Sequence, residues 1–222
     1  MKVLITSGGT REHIDDVRVM TNISSGKLGA RLADRFILNG HFVEYVYTKG
    51  SAIPSEVQYA DVDVEDCYHG YEVTDVASVM SATHAIVPHV DAIIHPMAVS
   101  DFTFEYKGAV KCGSDSAEDF IEHMRRTIKT TPKVISHFRE WNPKAYIVGF
   151  KFTSGQTKEN LIQIALNLID RNGLNAVFAN DRKQMMDANE HVGYLVTPYD
   201  YNECKGKDEI VKAIHDCVNG RW

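Results

Sequence analysis

Lys2-Val3-Leu4-Ile5-Thr6 leads straight into Ser7-Gly8-Gly9-Thr10-Arg11-Glu12, and this stretch decides the fold. A short, nearly continuous apolar run that ends in a glycine turn reads as a strand buried on both faces, the kind a parallel sheet uses. Downstream, Ser24 or Ser25 can N-cap a helix whose Leu28, Leu32, Phe36 and Ile37 share one face. Asn39-Gly40 ends it, and residues 42–48 form the next strand. The alternation continues along the chain. Residues 73–87 carry a helical pattern, 91–99 a strand that runs into Ser100-Asp101, and Thr131-Pro132 opens a helix with Val134, Ile135 and Phe138 on one side. Residues 146–150, 175–179 and 192–197 read as strands, 157–171 as a helix stopped by Asn172-Gly173, and 208–218 as the last helix. About six or seven strands with helices between them predict an α/β fold with a Rossmann-like, doubly wound, mainly parallel sheet. Residues 102–116 fit neither period and hold Lys107, Gly108, Lys111 and Gly113. They predict an extended arm or flap, because a loop of about fifteen residues inside a compact domain is usually functional or disordered.

The 222 residues carry 24 Lys and Arg against 30 Asp and Glu, a formal net charge of −6, and 44% are hydrophobic. Such a chain is expected to form one domain over residues 1–222. Nucleic acid and anionic membranes are bound by clustered positive charge, and an acidic chain gives no reason to expect either as partner. No run approaches the roughly 18 apolar residues of a bilayer span, and no signal-peptide layout is visible, so the expected compartment is the cytoplasm. The four cysteines, at 67, 112, 204 and 217, include no CxxC, so neither a disulfide framework nor structural zinc is expected. Cys217 falls on the apolar stripe of the last helix with Ile210, Val211, Ile214 and Val218, which is a core position. The ten histidines include no HExxH pair.

Ligands of a doubly wound sheet sit beyond the carboxyl ends of its strands. Two polar, glycine-bearing segments fall there: Ser7-Gly8-Gly9-Thr10-Arg11-Glu12 after the first strand, and Ser24-Ser25-Gly26-Lys27 at the start of the first helix. Free N–H groups and the helix dipole favour a phosphate at such a place, although each segment alone also fits an ordinary turn or cap. A P-loop is excluded, because Gly26-Lys27 is followed by Leu28 rather than Ser or Thr. A dinucleotide fingerprint lacks its third glycine, and the second strand ends in Thr48-Lys49 rather than an acid. Tyr45 with Lys49 and Tyr201 with Lys205 have the reductase TyrxxxLys spacing, but the first pair lies in a strand and the second in an expected loop. Asn22, in the long loop between the glycine segments, can donate its amide to a developing oxyanion or simply serve a turn. Asp101 and Lys111 flank the flap, where a carboxylate suits a metal or a ribose hydroxyl and a lysine suits phosphate oxygens, with surface charge as the plain alternative.

Together these segments resemble the phosphopantothenate–cysteine ligase family, also called phosphopantothenoylcysteine synthetases. The resemblance rests on Gly8-Gly9-Thr10-Arg11-Glu12, Val17-Arg18 and Asn22-Ile23-Ser24-Ser25-Gly26-Lys27-Leu28-Gly29. Ala98-Val99-Ser100-Asp101-Phe102, Lys111, Val148-Gly149-Phe150 and Ala179-Asn180-Asp181 add to it. It implies a two-step ligation of 4'-phosphopantothenate and L-cysteine: CTP or ATP, with CTP favoured, activates the carboxylate as an acyl-nucleotidylate, and the cysteine amine then displaces the nucleoside monophosphate. It also implies Mg2+, no tightly bound organic cofactor, and a homodimer whose flap reaches the partner's site. With no room for a decarboxylase half, the chain resembles the stand-alone form, which would work with a separate phosphopantothenoylcysteine decarboxylase.

By the same resemblance, Asn22 holds the acyl intermediate and Gly8, Gly9, Thr10, Ser24, Ser25 and Gly26 bind phosphate groups. Asp101 and the catalytic Lys111 bind nucleotide, Thr131-Pro132-Lys133-Val134 stands at a nucleotide-binding turn, and Phe150 contacts the base. Arg18 and Asn180 are assigned to substrate, and metal ligands are left unassigned. Four positions depart from the pattern. Met97 replaces an alanine where backbone meets nucleotide, and Gly113, Leu168 and Asn172 stand where relatives have lysines. Lys107, Lys133, Lys151 and Arg171 are the cations available to compensate. The rival readings are a non-catalytic nucleotide-sensing Rossmann dimer, for which missing lysines mean lost catalysis, and an NAD-dependent reductase.

Overall fold

The computed structural model describes residues 1–55, 67–105 and 116–220. Its centre is an eight-stranded sheet. Six strands run parallel: β1 (Lys2–Ser7), β4 (Phe42–Thr48), β5 (Tyr68–Val73), β6 (Ala92–His95), β9 (Tyr146–Thr153) and β10 (Ala176–Asp181). Two antiparallel strands, β11 (Val192–Val196) and β12 (Tyr201–Lys205), extend one edge. The order is β12-β11-β10-β9-β6-β1-β4-β5. After β1 the chain winds outward through β4 to β5, then returns across β1 to β6 and winds the other way. The reversal falls between β1 and β6, where a crevice opens beyond the strand ends.

As the apolar run predicts, β1 is buried on both faces. Leu4 packs with Val46, Val79, Ile93 and Phe138 on one side, while Val3 and Ile5 pack with Leu32, Phe36, Ile94 and Ile214 on the other. Helices α2 (Val76–Ile86), α4 (Phe138–Trp141) and α5 (Lys158–Asn172) cover the first face; α1 (Lys27–Leu38) and α7 (Gly206–Val218) cover the second. Close approach of α1 to β1 requires Gly29, where a Cβ would lie 2.4 Å from Ser7 Oγ. Cys217 is buried on α7, as its stripe predicts, and its Sγ lies 3.0 Å from Tyr146 Oη. The described cysteines, Cys67, Cys204 and Cys217, are free thiols. Among the described residues no helix is long and apolar enough to cross a membrane.

Several sequence expectations are corrected. Neither Ser24 nor Ser25 caps α1: the N-cap is Gly26 in a left-handed conformation (φ 71), its carbonyl taking a hydrogen bond from Ser7 Oγ at 3.0 Å. The helix read over 73–87 begins at Val76, because Val73 is taken by β5 and Asp75 forms a capping box with Ser78. The strand read over 91–99 stops at His95, since Pro96 cannot extend the ladder. Thr131-Pro132 opens no α-helix directly. A 3-10 turn, Val134–His137, comes first and leads into α4.

Around the expected arm, residues 102–104 form β7 (Phe102–Phe104), paired antiparallel with β8 (Ile128–Thr130), and Ser116 caps helix α3 (Ala117–Thr127). The core of the predicted flap, with Lys107, Gly108, Lys111 and Gly113, lies outside the described residues. A second ribbon, β2 (Arg11–His13) with β3 (Val19–Thr21), packs against β7. The segment holding Tyr201 and Lys205, read as a loop, is β12. Only Cys204 of its five residues is buried, so no apolar alternation marks it.

Candidate functional site

The ends of β1 and β6 continue their pairing into the crevice through Gly9 and Ala98. Ala98 N donates to Gly8 O at 2.8 Å and Thr10 N to Ala98 O at 3.2 Å. Hydroxyls extend this join. Ser100 N donates to Thr10 Oγ1 at 2.9 Å, Thr131 Oγ1 donates to Ser100 O at 2.5 Å, and Thr131 N donates to Asp101 O at 3.1 Å. Thr10, Ser100 and Thr131 are each buried, so their side-chain oxygens serve the scaffold that fixes three chain segments around the crevice.

Asn22 lies over this join. Its Nδ2 donates to Val99 O at 3.1 Å, and its own carbonyl sits where a Cβ on Gly9 would come within 2.4 Å, so that position admits only glycine. An exposed amide held by its backbone and one hydrogen bond is fixed in place while keeping donor capacity for a ligand. Asp101 and Lys133, both largely exposed, form a close ion pair on the rim. On the β4 side Gly9, Asn22, Ser24, Ser25 and Ser51 line a pocket of about 300 Å³. Gly8, Gly9, Thr10, Asn22, Ser24, Ser25, Gly26, Asp101, Thr131, Pro132 and Lys133 therefore gather at one end of the sheet; the glycine turn and Asp101 do so as their places after strand ends predict, and the Thr131 segment is brought there by its bonds to Ser100 and Asp101.

Other candidates occupy different surroundings. The Val134 side chain is buried in the core below the rim. Phe150 lies within β9, its ring 5.6 Å from that of Phe178. Asn180 ends near α6 (Arg182–Ala188), with Nδ2 3.2 Å from Met185 Sδ. Arg18 lies in the turn between β2 and β3, 3.6 Å from the buried Asp15 carboxylate and 4.7 Å from the Phe120 ring centre. Lys111 falls outside the described residues. Two of the sequence departures change meaning. Met97 is 6% exposed and directs its bulk into the core, not into the crevice. Leu168 and Asn172 sit in the last turns of α5, which returns to the opposite end of the sheet: the adjoining Asn175 N donates to Ile147 O near the start of β9. Leu168 packs on the core and Asn172 Nδ2 donates to the Leu168 carbonyl, so the absence of lysine there removes no charge from the crevice rim.

Three polar residues near the site were given no role by the sequence reading. Glu12 is buried and its Oε1 accepts from Val76 N at 2.9 Å, which ties the loop after β1 to the start of α2. Asp181 accepts from Thr153 Oγ1, Gln156 N, Lys183 N and Gln184 N. Desolvation pushes its carboxyl upward, but these hydrogen bonds outweigh it and hold the group well below the usual range. His95, at the end of β6, has Nδ1 2.7 Å from Thr6 Oγ1 and meets the Phe138 ring edge-on at 5.1 Å. Burial pushes its pKa down to about 4, so it is neutral at neutral pH. A motif marked Glu12 and Asp181 in the sequence, but only tertiary contacts assign them to capping.

The family model for the DNA/pantothenate metabolism flavoprotein C-terminal domain matches residues 1–220. The chain belongs to this family. Among curated relatives of this C-terminal-domain family, the coenzyme A biosynthesis bifunctional protein CoaBC of Methanocaldococcus jannaschii is 30% identical over 220 residues, covering 98% of this chain and 50% of that protein. Human phosphopantothenate–cysteine ligase is 24% identical over 67% of this chain and 62% of its own length. The chain thus spans about half the length of the archaeal relative it matches. In three dimensions, the DNA/pantothenate metabolism flavoprotein from Streptococcus pneumoniae superposes with a TM-score of 0.82 at 28% identity, each chain covered completely. That agreement over the whole length matches the doubly wound sheet described above.

Proposed function

We propose that the chain ligates 4'-phosphopantothenate to L-cysteine, a step of coenzyme A biosynthesis, in the cytoplasm, through an acyl-nucleotidylate. The observation that carries this reading is the fixed Asn22 amide at the switch-point crevice, between a phosphate-compatible glycine turn and the Asp101–Lys133 rim. Family membership and the likeness to a phosphopantothenate–cysteine ligase support it.

In the first step a carboxylate oxygen of phosphopantothenate bonds to the α-phosphorus of CTP or ATP, and pyrophosphate leaves. Gly8, Gly9 and the start of α1 at Ser24, Ser25 and Gly26 would hold phosphate oxygens through backbone N–H groups, offsetting the repulsion between two anions, while Thr10, whose N–H goes to Ala98 O, would hold the turn in shape. Thr131, Pro132, Lys133, Val134 and Phe150 would take the nucleoside side, and Lys111 the triphosphate. Asp101 is the oxygen ligand at the rim suited to Mg2+. Such an ion, when bound, neutralises phosphate charge. Lys133, paired with Asp101 at the rim, would add positive charge beside the phosphates.

In the second step the cysteine nitrogen attacks the acyl carbon, the nucleoside monophosphate leaves, and the amine loses a proton. The Asn22 amide can donate to the oxyanion of the tetrahedral intermediate, a contact whose removal typically slows a step by about 100-fold or more. Arg18 and Asn180 would serve the substrate. The proposed assembly is a homodimer, joined through the face of β7, β8 and α3, where Phe102, Ile128 and Ile121 are exposed.

Pyrophosphate release that requires phosphopantothenate and is measured with CTP and with ATP tests the reading and fixes the nucleotide. Absence of release with both would overturn it. Asn22→Asp should leave pyrophosphate release within about threefold while slowing cysteine transfer by about 100-fold. Equal loss of both half-reactions would instead assign Asn22 to folding. Lys111→Ala should raise the nucleotide KM or lower kcat.

A further inference from the structure

Asn22 holds its side-chain amide on the carbonyl of Val99. That carbonyl stands just beyond the end of β6, where the pairing with β1 has thinned to the single bridge between Gly9 and Ala98. Thr10 grips the segment on both sides of Val99. Its N–H donates to Ala98 O at 3.2 Å, and its Oγ1 accepts from Ser100 N at 2.9 Å. Thr131 Oγ1 holds the Ser100 carbonyl as well, and the Ser100 hydroxyl donates to Phe102 O at 2.7 Å. With the residues before and after it clamped, the Val99 peptide has little freedom to turn, so its carbonyl stays aimed at Asn22. Thr10 is fully buried. Its hydroxyl therefore acts through its neighbours and not on a ligand.

Amide chemistry explains why the direction matters. The two N–H bonds of a side-chain amide lie in one plane at a fixed angle, so holding one on a carbonyl sets the direction of the other. Turning the group over would put Oδ1 against the Val99 carbonyl oxygen, two acceptors face to face, so one orientation is selected. We infer that Thr10 is a positioning residue for the second half-reaction: through Val99 it aims the second Nδ2 hydrogen of Asn22 at the oxyanion of the tetrahedral intermediate. The reaction in that statement rests on the ligase reading, whereas the chain from Thr10 to Asn22 rests on the hydrogen bonds alone. Loss of the Thr10 hydroxyl thus has a signature opposite to loss of a phosphate contact, which would act on nucleotide KM and pyrophosphate release.

Thr10→Val keeps the shape of the side chain and removes the acceptor, and Thr10→Ser keeps the acceptor. Pyrophosphate release, cysteine transfer and nucleotide KM are measured on both and on the wild type, with melting curves to confirm folding. Thr10→Val should slow cysteine transfer by about 10-fold, with pyrophosphate release and nucleotide KM within about threefold, and Thr10→Ser should stay within about threefold on all three. Because Thr10 acts through Asn22, the double variant Thr10→Val, Asn22→Asp should transfer cysteine no more slowly than Asn22→Asp alone. A second readout needs no turnover. In isotope-labelled protein the Asn22 side-chain amide signal, assigned by its absence from Asn22→Asp, should shift and exchange about 10-fold faster with solvent in Thr10→Val, and return to the wild-type position in Thr10→Ser. A folded Thr10→Val protein with an unchanged Asn22 amide signal, or with equal slowing of both half-reactions, overturns the inference. So does a wild type whose Asn22 amide protons both exchange as fast as those of free asparagine, a result that decides the matter even if Thr10→Val does not fold. A wild type that releases no pyrophosphate with CTP or ATP overturns the ligase reading, and the amide signal still decides whether Thr10 positions Asn22.

Discussion

Buried ionisable side chains set how the protein responds to pH, and two of them act in separate windows. His95 is neutral in the fold, with a pKa near 4 against 6.5 in the unfolded chain. The unfolded state therefore binds the proton first. Stability is constant above about 6.5 and falls as pH drops toward 4, by up to about 3 kcal/mol. Urea unfolding at pH 7.5 and 4.5 should show a drop in the wild type that is smaller in His95→Gln. Asp181 has the same sign in a lower window. Its lowered pKa stabilises the fold above the ordinary carboxylate range, and that contribution is lost only as pH falls through the folded value. Asp181→Asn should cost about 1–3 kcal/mol at neutral pH, read from denaturant midpoints, because four donors lose a charged acceptor.

At the scale of elements, the turn between β1 and α1 depends on how closely helix and strand approach. Alanine in place of a helical glycine normally adds about 1 kcal/mol of stability. At Gly29 the new methyl would lie 2.4 Å from Ser7 Oγ and 2.8 Å from Ser7 Cβ, so Gly29→Ala should instead cost about 1–3 kcal/mol by overpacking. A melting temperature that rises in this variant would refute the account. Gly29 also supplies the close helix–strand approach that the third fingerprint glycine serves elsewhere, although its spacing conceals that in the sequence. The helices read over 157–171 and 208–218, which span 158–172 and 206–218, were legible from their apolar period, and in the first of them the Thr157 cap and the Gly173 stop agree with it. Helix α3 was not, since none of its residues is fully buried and the reading followed an arm. The β12 strand failed for a related reason: its partner is β11, and its exposed face leaves polar residues at nearly every position.

For the molecule as a whole, apolar groups remain exposed on one side of the crevice. Phe102, Ile121 and Ile128 are 46%, 56% and 41% exposed, on β7, α3 and β8. A homodimer through this face should appear in sedimentation equilibrium, and the double variant Phe102→Ser, Ile128→Ser should shift it to monomer. An unchanged assembly would place the interface elsewhere.

By itself the sequence determined the α/β class, the doubly wound sheet and the family, because buried strands, glycine turns and helix caps are local signals that survive without neighbours. It also put Asn22, the two glycine segments and Asp101 after strand ends, where such a sheet gathers its ligands. Only the tertiary structure decided what each of them touches. It directs Met97 into the core, carries Leu168 and Asn172 to the far end of the sheet and turns Glu12 into a helix cap. The reason is physical: a side chain's chemistry is read from its residue type, but its partner is set by where the sheet and helices bring distant segments together.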